Sequence, residues 1–445
     1  MRAEAHLAAA IEILTTLFET KQPTDKYLDG YFKSNRYAGS KDKRAIRGIV
    51  YDIYRNLRQY EFVISSTEPR QLVAAYLLGQ GDDIAQITDK FNGEKYGPAN
   101  LSDDEIIAIE NAKSLDNASK AILLNVADWQ FDNFNNVFGD QTESELEALN
   151  KTATLDIRVN VAKTTIADAK KALAKQGLES ENMQLSSVGL RLEPTTQLSQ
   201  SPSYRYGAVE IQDEAAQVAG LLAGTKPKMA VVDYCAGGGG KTLAMAAMMD
   251  NKGQVYALDI DQNRLKAIKP RLIRASYHNV QMHKLGNEKT NQLMYELKEN
   301  IDVTFVDAPC TGTGTWRRAP DARFNLTEDM LNQLVSRQAQ ILESASKLVK
   351  KGGRLIYATC SLFKQENEQQ VEKFLNNNSE FTLLDYATEW ETLVKTDVPK
   401  SASSLDGTLL LTPHQHATDG FFVAIMQRKN PDAVVIKSED APEEI

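Results

Sequence analysis

Cysteine, histidine and tryptophan are scarce in this chain, with three Cys, five His and three Trp in 445 residues. The thiols are separated by 75 and then 50 positions, which gives neither a disulfide framework nor metal-ligand spacing and fits a reducing compartment. The histidines fall in no ligand or triad spacing, so neither a metal site nor Ser-His chemistry is expected. No window approaches the roughly 18 apolar residues of a spanning helix, and Glu4, His6 and Glu12 interrupt the stretch where a secretory signal would be apolar. A cytoplasmic monomer with no membrane or metal partner is the expectation.

Charge of one sign is also missing from one region. The net charge is -9, yet Lys33, Arg36, Lys41, Lys43, Arg44, Arg47, Arg55 and Arg58 stand against only Asp42 and Asp52. At helical spacing Ile46, Ile49, Val50, Ile53 and Leu57 form an apolar stripe, with Arg44, Arg47, Tyr51, Tyr54, Arg55 and Arg58 opposite. A solvated face normally mixes signs, so this basic, aromatic side reads as an RNA-backbone contact surface.

Residues 1–140 read as helical, from Leu7, Ile11, Leu14 and Phe18 onward. A small α+β module follows over 145–205, with strands at Leu155 to Val161 and Met183 to Leu192 around a helix from Thr165 to Gln176. The Ser/Gln/Pro-rich stretch from Gln197 to Tyr204 is its boundary. Over 206–429 the pattern is βαβ, with strands at Ala230 to Tyr234, Gln254 to Asp259, Asn279 to Lys284, Asp302 to Val306, Gly353 to Tyr357 and Phe421 to Met426. The acidic stretch 430–445 reads as a disordered tail.

What is present is concentrated at strand ends. Cys310 and Cys360 each follow an apolar run, Val303 to Val306 and Leu355 to Ala358, and so fall past the carboxyl ends of buried parallel strands, where α/β sheets bind ligands. A free Cys is usually a small hydrophobe, but these two stand among Asp, Thr, Ser and Gly.

A glycine loop, Cys235-Ala236-Gly237-Gly238-Gly239-Gly240-Lys241-Thr242, follows the first βαβ strand. A phosphate-binding loop of nucleotide triphosphatases would need Gly where Cys235 stands. A nucleoside-cofactor loop instead predicts an acid ending the next strand, and Asp259 supplies it. A nucleoside cofactor beside two thiols suggests methylation of a pyrimidine carbon. Cytosine C5 becomes nucleophilic only after a thiolate adds at C6, and a base must then remove the C5 proton. Cys360, Cys310 and Asp307 can fill these roles.

Asp233 to Thr242, Asp307 to Gly314 with Arg317-Arg318-Ala319-Pro320-Asp321, and Ala358-Thr359-Cys360-Ser361 with Glu366-Asn367 resemble the Sun family of RNA cytosine-5 methyltransferases, over roughly Leu155 to Arg428. Asp419-Gly420-Phe421-Phe422 looks like the family's closing strand. The resemblance implies a Rossmann-like class I methyltransferase domain and S-adenosylmethionine held by Cys235 to Lys241 (Gly237, Gly238, Gly239 and Gly240 included), Asp259 and Asp307. It implies Cys360 as nucleophile, Cys310 as the group that helps expel product, Asp307 on the cytosine edge and Lys241 orienting the substrate. Exchanged roles for the two thiols are the alternative assignment. Where the family usually has an Asp near the adenine, this chain has Asn287.

The amino-terminal part looks similar to the NusB-like RNA-binding domain of ribosomal members, the small α+β module would also bind RNA, and Trp316, Arg317, Arg318 and Arg323 would extend the RNA path. Small-subunit (16S) ribosomal RNA is the expected substrate. A transfer RNA enzyme, an inactive assembly factor and a triphosphatase are the alternatives.

Overall fold

A computed structural model describes residues 1–431. The expected tail lies outside the described residues from 432 onward. Among the described residues no helix is long and apolar enough to cross a membrane.

Helices run from Ala3–Thr20 to Thr142–Asn150 without a strand between them. In helix Ser40–Arg55, Ile46, Ile49, Val50 and Ile53 are buried, and they pack with Leu7, Ile13, Leu14 and Leu17 of the first helix. This all-helical part matches the expected NusB-like class, but its core ends earlier than the helices do. Ala121, Val126, Phe134, Leu146 and Leu149 join the core that contains Trp316, Tyr357 and Phe422. The later helices therefore pack as a bracket on the α/β part, and a boundary at 140 cuts through it.

Next come strands β1 (Leu155–Val159), β2 (Ser180–Asn182), β3 (Gly189–Leu192) and β4 (Val209–Ile211), in the order β2-β3-β1-β4. All pairings are antiparallel, and Ala169 and Leu173 of helix Ile166–Ala174 close the small core over Ile157, Val159 and Leu190. Two expectations are corrected. Of the strand expected from Met183 to Leu192 only Gly189–Leu192 (β3) forms, and β2, which ends at Asn182 before that stretch, pairs with it. The boundary expected at 205 falls before β4, which completes this sheet by pairing with β1.

The larger sheet contains β5 (Ala230–Asp233), β6 (Gln254–Asp259), β7 (Val280–Lys284), β8 (Ile301–Asp307), β9 (Val349–Thr359), β10 (Phe381–Leu384), β11 (Leu409–Leu411) and β12 (Phe421–Arg428). The order is β10-β12-β9-β8-β5-β6-β7, with β11 paired to β12. β7 to β9 in this order are parallel, and β12 and β10 antiparallel. β10 and β11 were not expected, since neither carries a long apolar run.

Successive residues of these strands feed opposite cores: Val231, Ile356 and Ala358 lie on one face, Val232, Leu355 and Tyr357 on the other. Burial on both faces explains why the strands read as continuous apolar runs. Strand order reverses between β5 and β8, the switch point where a Rossmann-like sheet opens a crevice.

Candidate active site

The crevice holds most of the residues expected from the sequence. A cavity of about 920 Å3 is lined by Cys235, Ala236, Gly237, Gly238, Gly240, Lys241, Asp259, Asp307, Cys310 and Cys360. Register explains the convergence of the two thiols: Asp307 pairs with Ala358, so β8 and β9 end level and their cysteines project beside one another. Cys310 Sγ and Cys360 Sγ are 3.4 Å apart.

Lys241 Nζ lies 2.8 Å from Asp307 Oδ2 and 4.7 Å from the centroid of the Phe421 ring. Burial pulls the Lys241 ammonium down, but Asp307, Cys360 and Asp233 more than offset it, so its pKa is raised and the charge is kept. The Cys310 thiol is pushed well above the ordinary range, first by its hydrogen bond with Cys360, then by burial and by Glu366.

One buried carboxylate ties the two cysteine loops together. Glu366 Oε1 accepts from the Thr311 amide and from Gln338 Nε2, each at 2.9 Å. Its Oε2 accepts from the hydroxyls of Thr311 and Ser361. Asn367 adds a bond from its Nδ2 to the Ser361 carbonyl at 2.8 Å.

At the other end of the cavity the glycine loop turns into helix Gly240–Met248. Gly239 makes that turn at φ +85° and stays off the cavity wall, unlike its neighbours. Asp259 Oδ2 accepts from the Gly237 amide at 2.7 Å and Oδ1 from the Asp261 amide at 2.8 Å. Its oxygens keep lone pairs for ribose hydroxyls, while Ile260, Leu285 and Ile341 supply apolar wall. An acid, exposed backbone and apolar flanks fit a nucleoside. Ile260 could have been read from the sequence, as an apolar residue directly after the acid. Leu285 and Ile341 could not.

Asn287 is placed elsewhere. It caps helix Glu288–Glu296, accepting from the Thr290 amide and donating to the Lys284 carbonyl. Both ends of its amide are used, and it does not line the cavity.

Residues 221–427 match the family described as 16S rRNA methyltransferase RsmB/F, and residues 126–199 match the ferredoxin-like domain of the same proteins. The chain belongs to the RsmB/F family. It is 31% identical over 303 residues to the probable ribosomal RNA small subunit methyltransferase B of Synechocystis, covering 68% of this chain and 66% of that one. It is 31% identical over 275 residues to the counterpart in Bacillus subtilis, covering 61% and 59%. These alignments span less than two thirds of either relative.

Among solved structures, PH0851 superposes with a TM-score of 0.76 at 26% identity, covering 96% of this chain and 99% of that one. A methyltransferase homolog from Pyrococcus horikoshii superposes with 0.59 at 27% identity, over 69% and 97%. The α/β part thus has the class I methyltransferase fold of the RsmB/F proteins.

The arginines expected on an RNA path are mostly committed inside the protein. Arg317 is buried and bridges Asp213 (3.1 Å) and Asp419 (2.5 Å), and Arg318 binds the same pair. This quartet locks the loop after Cys310 to the segment before β12. Arg323 is fully buried over Trp316, 5.1 Å from its ring, and donates weakly to the carbonyls of Asn125 and Leu149. Trp316 is a core residue packed on Phe134.

On the amino-terminal side the helix stops at Arg55, and Arg58 belongs to the next one, Leu57–Ile64. Arg58 donates to the Val126 carbonyl. Arg47 pairs with Asp25 and Asp29, and Arg55 is half-buried against Tyr51 with its Nε unpartnered. Tyr54 is buried between Phe18 and Phe324. Among the described residues Arg44 alone of the four is exposed and without an ion pair. Tertiary packing uses long cationic side chains as interior struts, which helical spacing cannot reveal.

Proposed function

We propose that this protein methylates C5 of a cytosine in RNA, with small-subunit ribosomal RNA as the substrate class. The observation that carries the reading is the Cys310–Cys360 contact of 3.4 Å beside the Lys241–Asp307 pair, inside a nucleoside-shaped cavity. The names of the relatives favour ribosomal over transfer RNA.

S-adenosylmethionine, held by the loop from Cys235 to Gly240 and by Asp259, supplies an electrophilic methyl group. The Cys360 thiolate adds to C6, and the displaced C5–C6 electron pair makes C5 the nucleophile. Asp307, paired with Lys241, orients the cytosine edge. The target base is swung out of its stack to reach the two thiols.

Cys310 has a staged role. While Cys360 is free, the hydrogen bond between the two sulfurs holds the Cys310 proton in place. Once Cys360 is a neutral thioether on C6, that bond loses its strength and Cys310 can give up its proton to bulk water, the one proton that the overall methylation releases. Its thiolate then takes the C5 proton, the C5–C6 double bond reforms and the C6–sulfur bond breaks, which returns Cys360 as thiolate.

The experiment is to express Cys310→Ala and Cys360→Ala separately in cells and look for RNA covalently attached to each purified protein. Adduct on Cys310→Ala alone supports the assignment, and sequencing it names the substrate. Adduct on Cys360→Ala alone exchanges the roles. None on either, with no methyl transfer by the unaltered protein, removes the reading.

A further inference from the structure

With the face of helix Ser40–Arg55 largely spent, a different basic surface stands beside the cavity. Helix Gln262–Ala275 carries Arg264, Lys266, Lys269, Arg271 and Arg274 and no acidic residue, in a chain of net charge -9. Leu265, Ile268, Leu272 and Ala275 bury one side of it. Arg271 and Arg274 face the four-stranded module, where they share Glu210 at 3.3 and 2.5 Å. Lys266, Lys269 and Ile273, at i, i+3 and i+7, share the exposed side. Among the described residues neither lysine has an ion pair.

The module meets this helix edge to edge. A Cβ on Gly207 would lie 2.1 Å from the Arg274 carbonyl oxygen, so the two backbones touch. Lys163 Nζ donates to the carbonyls of Tyr206 and Arg274, 2.8 Å each. Each side of the contact is preceded in the chain by an exposed apolar neighbour, Tyr206 (76%) before Gly207 and Ile273 (70%) before Arg274. Arg205, also exposed, has a side chain bonded among the described residues only to Gln200. The same two elements run on to the cavity, which Ile211 and Arg264 line.

We propose that single-stranded RNA crosses this seam at Arg205 and Tyr206 and reaches the cavity over the exposed side of the helix, with Arg205, Lys266 and Lys269 on phosphates and Tyr206 stacked on a base. The inference rests on the RNA reading above. Exposed cations on a helix without an acidic residue attract phosphate to the surface that leads to the cavity. An exposed aromatic ring next to Arg205 in the chain suits an unpaired base, which a duplex would not offer. The track also ends where a flipped base has to enter.

The test measures binding of a small-subunit ribosomal RNA transcript over a salt series, using the full chain. Lys266→Gln/Lys269→Gln should weaken binding and flatten the slope of log affinity against log salt by about 1.4, at ~0.7 per lost single-strand phosphate contact. Tyr206→Ala should weaken binding about 5- to 150-fold, the range for one stacked base. Unchanged S-adenosylmethionine affinity in each variant shows that the fold is intact. Wild-type affinity and slope in both variants would overturn the seam, as would the loss appearing in Arg44→Gln instead. If the unaltered protein methylates the transcript in either of those cases, the functional reading stands and only the seam falls. If it does not bind the transcript at all, both fall.

Discussion

Cys310 and Cys360 are 50 positions apart in the chain and their sulfurs are 3.4 Å apart in space. Parallel pairing of β8 with β9 achieves this, and the Glu366 carboxylate holds it by accepting from Thr311 after the first thiol and Ser361 after the second. The spacing of the thiols is therefore a property of a buried network as much as of the strands.

That network gives the first prediction. Glu366→Ala leaves the Thr311 amide and hydroxyl, the Ser361 hydroxyl and the Gln338 amide without their acceptor, and each such buried group costs roughly 1–3 kcal/mol. Methyl transfer should fall at least tenfold and unfolding should occur at lower denaturant, with Glu366→Gln intermediate because it keeps one acceptor oxygen. Methyl transfer and denaturant curves read this out, and unaltered values for Glu366→Ala would remove the network from the account.

The loops also depend on a backbone crossing. The Gly314 amide donates to the Cys360 carbonyl at 2.9 Å, and the Gly420 amide to the Gly314 carbonyl at 2.8 Å. A Cβ on Gly314 would lie 2.3 Å from Gly420 O, and backbone cannot rotate away as a side chain can. Gly314→Ala should cost about 1–3 kcal/mol as an overpacked site and reduce turnover by moving the Cys360 carbonyl. Gly238→Ala, whose Cβ meets only Arg271 at 3.6 Å, is the steric control, read by stability alone.

Asp233 predicts a pH dependence. Its Oδ2 accepts from the Thr242 hydroxyl at 2.5 Å, its Oδ1 is buried without a partner, and burial pushes its pKa from 3.8 to about 7. Because the folded value lies above the unfolded one, its contribution to stability is fully present below the unfolded value and is lost as pH rises through about 7. The loss approaches about 4 kcal/mol, from roughly three pKa units at ~1.36 kcal/mol each. The stability of Asp233→Asn relative to the unaltered protein should therefore rise between pH 4.5 and 8. A constant difference in denaturant unfolding across that range would contradict it.

Arg323 separates packing from RNA binding. Its guanidinium is buried with no carboxylate, and burial together with Arg55 pulls its pKa down to about 9. Replacing such a buried charge by an apolar residue of similar length is often neutral or stabilising. Arg323→Met should keep or raise stability and leave RNA affinity and its salt slope unaltered. A weaker, flatter salt dependence would return Arg323 to the RNA path.

The placement of the candidate site was legible in the sequence because it follows from local order. Apolar runs ending in Asp307 and Cys310, or in Thr359 and Cys360, identify strand ends, and the glycine loop and Asp259 at the end of the next strand line one cavity with them. The arginines were not legible, because helical spacing shows which side chains share a face but not what covers that face. Arg317 and Arg323 read as free cations until Asp213, Asp419 and the carbonyls of Asn125 and Leu149 are brought to them from more than 100 residues away. β4 was missed for a related reason: three residues have too little pattern of their own and form a strand only because β1 offers an open edge.

The sequence by itself thus determined the central strands of the sheet, its crevice and the side chains gathered there, since strand burial and strand-end residues are local properties. Only the tertiary structure decided which cations remain free for a partner. Ion pairing depends on distances between segments far apart in the chain, and only packing sets those.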